Sequence, residues 1–292
     1  MKLLGASLWQ RRWCRFVGVG VILCAMSLLH PFVRQSIFGP TIEGIPWCVW
    51  EDQFRRQAHG NPKKAWIYQM LEKVGISTGD GVALNPHGQT ATALHMHLAD
   101  DSDVKVRRAA LGALVFRGER LQAEIAPILR EHLKDNDPEC RLLAAHGIWL
   151  MHNDLEIKAI VLPLIAHRDH RVRQSAAQVM WMMAPKVPEL FEPLSQLAED
   201  SDPGVRCAAL GAMAFFGKRG VPILRAGLKD GNRHVRTNAV MAASRMGKDA
   251  EDLFVDLRAM QSDSDANNRH LAAHALHRLD PKQFPKPADW VD

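Results

Sequence analysis

The sequence predicts an all-α fold: an α-solenoid of about six helical hairpins, preceded by an apolar helix at the amino terminus. Three observations predict it. The stretch "DSDVKVRRAALGAL" (101–114) recurs as "DNDPECRLLAAHGI", "HRDHRVRQSAAQVM", "DSDPGVRCAALGAM", "DGNRHVRTNAVMAA" and "DSDANNRHLAAHAL". Its arginines, Arg107, Arg141, Arg173, Arg206, Arg236 and Arg269, are separated by 34, 32, 33, 30 and 33 residues. Every copy but the first follows a second apolar segment of helical length, such as "LQAEIAPILREHL" or "PELFEPLSQLA".

Each part of the pattern has a physical role. Four residues before each arginine stands Asp103, Asp137, Asp169, Asp202, Asn232 or Asp265, the residue types that cap a helix amino terminus, and Pro138 and Pro203 sit where a first turn accepts proline. Three residues after each arginine stands Ala110, Ala144, Ala176, Ala209, Ala239 or Ala272, small enough for a neighbouring helix to come close. Leu111, Leu114, Leu143, Val179, Leu210, Met213 and Leu276 are the expected larger core residues. In the upstream segments Pro127, Pro163, Pro193 and Pro222 are expected to bend the first helix of a hairpin. A unit of 30 to 34 residues cannot bury its own apolar face, so hairpins must stack.

The order Pro-x-Leu, Leu, then Asp-x-x-x-Arg-x-x-Ala resembles the HEAT repeat, in the short HEAT-like variety named after phycobilisome lyases, over about residues 89–279. The resemblance implies that the Asp and Arg of Asp103 to Arg269 link adjacent units in a ladder. It departs from the pattern at His167, which replaces the acidic residue found six before the arginine elsewhere, at Asn232, and at "DANNR", which lacks the valine.

The formal charge of +5 comes from the amino terminus, where Lys2, Arg11, Arg12, Arg15 and Arg34 precede the first acid, Glu43. Beyond residue 34, 32 basic residues balance 32 acidic ones, which argues against a nucleic-acid partner. The six second helices nevertheless carry 13 Lys or Arg against one acid, Glu139. In related solenoids such helices line the concave side. Either these arginines pair with the acidic turns, or Lys105, Arg108, Arg171, Arg233 and Arg245 form a basic groove for an acidic protein segment or a phosphate-bearing ligand.

Residues 16–33, "FVGVGVILCAMSLLHPFV", carry no formal charge and span roughly 27 Å as a helix, with Trp9 and Trp13 as interfacial anchors. A membrane helix is expected over 1–34, amino terminus inside, with the repeats on the non-cytoplasmic side. A signal peptide cleaved near Ala25-Met26-Ser27 is the alternative.

Five cysteines suggest no disulfide framework: Cys14 and Cys24 belong to the apolar segment, Cys140 and Cys207 are expected as buried fillers about 20 Å apart, and Cys48 is unassigned. His270, His274 and His277 fall at i, i+4 and i+7, but no third ligand accompanies them, so no metal and no cofactor is expected. Nucleophile elbows and phosphate loops are absent from the sequence. Residues 35–88, with "NPKKAWIYQMLEKVG" as an amphipathic helix, are expected to cap the first repeat, and 280–292 to close the last as an irregular tail that includes Trp290. The expected function is a membrane-anchored, non-catalytic protein-interaction scaffold. The alternative is a lyase or ligand binder of the chromophore type, with Trp149 and Trp181 stacking on a tetrapyrrole.

Overall fold

The computed structural model describes residues 41–42, 45–60, 89–117 and 121–286. The apolar segment 1–34, the expected helix at 61–75 and Trp290 lie outside them. The chain divides into two compact units, 1–113 and 114–292.

The first unit holds a two-residue antiparallel ladder, β1 (Thr41–Ile42) with β2 (Ile45–Pro46), then α1 (Trp47–Ala58) and α2 (Gln89–Leu98). It also takes most of α3 (Val104–Val115), within which the division falls. The ladder is a small exception to the all-α expectation. Phe54 of α1 is buried with Leu94 and Leu98 of α2 and Val106 and Ala110 of α3, so the segment ahead of the repeats shares a core with the first hairpin.

The second unit is an all-helical solenoid. Its second helices are α5 (Pro138–His152), α7 (His170–Met183), α9 (Pro203–Ala212), α11 (Arg233–Ala243) and α13 (Ala266–Leu279), each packed on the next. Before them stand α4 (Gln122–His132), α6 (Lys158–Val161), α8 (Phe191–Leu197), α10 (Val221–Gly227) and α12 (Phe254–Ala259). The expected caps form. Asp137 accepts from Cys140 N at 2.9 Å, Asp202 from Gly204 N at 2.8 Å, Asn232 from His234 N at 2.9 Å and Asp265 from Asn268 N at 3.2 Å. All six alanines of the pattern are fully buried, as close helix approach requires. Leu111, Leu114, Val179, Leu210, Met213 and Leu276 are buried with them, whereas Leu143 is only half-buried and faces a surface groove.

The first helices differ from the expectation of bent continuous helices. Of the four prolines expected to bend them, only Pro127 lies beyond the first turn of an α-helix. Pro163 and Pro222 stand at the first positions of their helical segments, and Pro193 stands in the first turn of α8. Most first helices are split into a 3₁₀ turn and a short α segment, so the missing N–H falls where a first turn leaves it unused. One stretch among the described residues, Pro203–Gly227, is long and apolar enough to cross a membrane. It is broken at Gly217, at φ 54°, and its Leu210, Met213 and Leu224 are repeat core.

Candidate functional site

The second helices meet their neighbours through a ladder of guanidinium groups, and its wiring differs from the expected Asp-x-x-x-Arg pairing. The aspartate four before each arginine is occupied by the cap. The arginine's inter-repeat partner is the carboxylate that stands six residues before the next arginine. Arg173 reaches Asp200 through Nε at 2.7 Å and Nη2 at 2.8 Å, Arg206 reaches Asp230 at 2.8 and 3.0 Å, and Arg236 reaches Asp263 at 2.7 and 2.9 Å. Each of these aspartates also closes its own turn, accepting from the amide two residues on (Asp202, Asn232 and Asp265) at 2.7 to 2.9 Å. The next arginine in turn donates Nη1 to that aspartate's carbonyl, at 2.8 to 2.9 Å. The result is a continuous line from Arg173 to Arg269.

Electrostatics follow from this geometry. The Arg173 guanidinium holds the Asp200 carboxyl below its ordinary value, and Arg236 does the same for Asp263. Burial is the largest influence on the Asp230 carboxyl and raises it, but the hydrogen bonds from Arg206 and from the Asn232 amide, with the charges of Arg206 and Arg236, together outweigh it and the net direction is down. The same wiring opens the first unit. Arg55 of α1 pairs with Asp101, whose Oδ1 accepts from Asp103 N at 2.8 Å and whose carbonyl accepts from Arg107 at 2.8 Å. Arg55 lies outside the repeats and 46 residues from Asp101, so no spacing in the sequence announces it.

The opposite feature of the second helices is a trough across their exposed side. A groove of about 410 Å³ is lined by Glu139, Leu143, His146, Gln178, Trp181 and Met182. Gln178 and Trp181 also line a second groove of about 290 Å³ with Gln174, Gly211, Asn238 and Arg245. Arg245 in turn lines a third, of about 410 Å³, with Met241, His274 and Arg278. Shared walls make the three contiguous from α5 to α13. The indole of Trp181, 38% exposed, donates to the Gly211 carbonyl at 3.1 Å and lies 6.5 Å from the Phe215 ring, so it is laid across the next helix with a face still open. Trp149 is buried and donates to the Met182 carbonyl at 3.2 Å, which leaves Trp181 as the accessible ring of the pair. Burial pushes the His146 imidazole down, toward its neutral form.

Of the five expected groove residues, the three in the second unit do not share one site. Lys105 and Arg108 stand in the first unit. Arg171 and Arg233 are exposed at the amino-terminal ends of α7 and α11, and Arg233 lies 3.4 Å from Asp265. Only Arg245 lines the trough. Arg278, which the sequence reading passed over, joins it there; the missed signal was register, since both stand nine residues after their ladder arginines. The histidine trio does not converge: His277 Nδ1 bonds the Phe284 carbonyl at 2.8 Å, and among the described residues no group of three metal-ligating side chains occurs. Phe284 also stacks edge-on against Phe254, so the tail packs on the last repeat. Cys140 is buried, and Cys207 is half-buried with its thiol pushed up by burial.

With this geometry in place, comparison with known proteins is direct. Residues 191–277 match the family described as HEAT repeats. The match covers the fourth to sixth units of the pattern. Among the curated proteins none matches the chain. Among solved structures this chain is similar to the complex of CpcE and CpcF of phycocyanin lyase from a Nostoc species, with 21% identity over 70% of this chain and 82% of that one, at a TM-score of 0.47. It is similar to a designed armadillo repeat protein in complex with the peptide (KR)4, with 16% identity over 64% and 98% of the two chains, at a TM-score of 0.49. An archaeal HEAT-like repeats protein from Thermococcus onnurineus is similar at 12% identity over 79% and 97%, with a TM-score of 0.45.

Proposed function

We propose that this HEAT-repeat chain is a non-catalytic interaction scaffold whose second-helix trough receives an extended segment of a protein partner. One observation carries the reading: three grooves share walls and run unbroken over five second helices, a shape that suits a chain laid across repeats better than a compact substrate. The lining supports it, because Gln174, Gln178 and Asn238 offer amide donors and acceptors to a backbone while Trp181 offers a ring. Arg173, Arg206 and Arg236 are committed to holding repeats together, so they are not available as reaction groups. Anchoring through residues 16–33 belongs to the same proposal and rests on the sequence alone. A carboxy-terminal reporter fusion active only outside the cytoplasm is its expected result.

The trough itself is tested with a photo-crosslinking residue placed at Trp181, and at Val255 on α12 as a control, in the full chain in its own cells. A discrete protein adduct from position 181 and none from 255 is expected. Equal labelling from both positions sinks the reading. So does a tetrapyrrole that co-purifies at one equivalent, which favours the ligand-binding alternative.

A further inference from the structure

Resting on the trough as a peptide-binding face, we infer that its ligand has a polar sense: an extended segment with apolar side chains every third residue and an acidic end seated at Arg245 and Arg278. The position nine residues after each ladder arginine is a row across the repeats. In the second unit it reads Phe116, Leu150, Met182 and Phe215, then switches to Arg245 and Arg278. Phe116, Leu150 and Phe215 are exposed, at 90%, 50% and 44%, and Met182 is half-buried in the groove wall. Three exposed apolar side chains at one register, with Met182 beside them, need a cover. Two guanidinium groups at the same register need an anion.

Among the described residues no carboxylate pairs with Arg245 or Arg278, in contrast to Arg173, Arg206 and Arg236, and both groups line one groove with His274 and Ser244. The other end of the trough carries the acid Glu139. Charge therefore fixes which end of the ligand lies where. Spacing fixes its period. Packed helices stand about 8–10 Å apart, and an extended chain of the polyproline type rises about 3.1 Å per residue with three residues per turn. One side chain in three then meets successive second helices on the same side, and the third or fourth such step brings the chain to Arg245.

The experiment uses the full chain in detergent and fluorescein-labelled dodecapeptides with leucine at every third position. One set ends in Glu-Glu, the other in Lys-Lys, each made in both sequence directions and read by anisotropy. The Glu-Glu peptide is expected to bind about tenfold more tightly than its Lys-Lys counterpart in one direction, the size of one or two charge-assisted contacts, and to lose that margin in high salt. Arg245→Glu with Arg278→Glu, both exposed, inverts the preference, whereas Phe215→Ser weakens both peptides alike. Equal binding of the two peptides that Phe215→Ser still abolishes overturns the inference and leaves the scaffold reading standing. Binding of neither peptide overturns both. Self-association of the chain that the double charge reversal removes also overturns it, in favour of a second copy as occupant.

Discussion

Two kinds of junction hold the second unit together. From the third repeat onward each ladder arginine grips the next repeat through two hydrogen bonds to one carboxylate, as Arg173 grips Asp200. Between the second and third repeats the arginine is present and the carboxylate is not. Arg141 still donates Nη1 to the Asp135 carbonyl at 2.7 Å, but its Nε and Nη2 have no acceptor among the described residues, because His167 stands where the aspartate would be. His167 keeps half of the aspartate's work: its Nδ1 accepts from Asp169 N at 3.1 Å, closing the turn as Asp200 Oδ1 does for Asp202 at 2.9 Å. Closing the turn and linking the repeats are thus separable functions of one side chain. A neutral ring performs the first and cannot perform the second.

Acid breaks the stronger kind of junction most completely. The folded chain holds the Asp200, Asp230 and Asp263 carboxyls below their ordinary 3.8, so it binds these protons less readily than the unfolded chain does. Their contribution is in full force above that value and is lost as pH falls through it and below. Urea midpoints followed by circular dichroism should therefore be level at neutral pH and drop below about pH 4. A stability unchanged down to pH 2 removes the ladder from any energetic role.

Removing one acceptor comes next. Asp263 and Arg236 are the most buried pair of the ladder, with side chains 6% and 13% exposed. Asp263→Ala leaves the guanidinium without its partner and opens the turn that Asp265 N closes, so a loss of about 2–3 kcal/mol is expected from urea unfolding. A loss below 0.5 kcal/mol, on the order of a solvent-exposed pair, means that water substitutes for the rung.

The converse change makes the weak junction resemble the strong ones. His167→Asp supplies Arg141 with an acceptor at the missing rung and keeps the turn, so the melting temperature should rise by about 2–4 °C, on the order of 1 kcal/mol. No rise, or a fall, means that the second and third repeats are spaced differently from the others. The exposed trough is untouched by this change, so peptide binding should stay the same.

Much of this was legible in the sequence. Five copies of Asp-x-x-x-Arg-x-x-Ala and one with Asn232 in place of the aspartate marked out the second helices, and the caps at Asp137, Asp202, Asn232 and Asp265 stand where the pattern puts them. What the pattern hid was which of two aspartates the arginine uses, since Asp200 and Asp202 both recur with the period. Geometry decides: the nearer one is held by the helix end and its oxygen points at Gly204 N. The trough was half legible. The count of basic residues included both Arg245 and Arg278, but the choice of groove residues ignored register: it left out Arg278 and grouped Arg245 with Arg171 and Arg233 at the other ends of their helices. The first-helix prolines were visible, but a residue rule for helix interiors does not say that the helix restarts at the proline.

The smallest effect separates the two functions most cleanly. Asn232 is the one cap of the series that cannot carry charge, and it takes no part in the Arg206–Asp230 pair beside it; its Oδ1 accepts from His234 N and its own amide is held by Asp230. Asn232→Ala removes the cap bond and keeps the rung, so a loss of about 1 kcal/mol is expected. Asn232→Asp keeps the bond and adds a negative charge at the start of α11, which favours the helix dipole by about 0.5 kcal/mol but lies close to the Asp230 carboxylate. If the alanine variant costs as much as breaking a rung does, the turn and the inter-repeat pair are one cooperative unit, and His167 has given up more than its geometry shows.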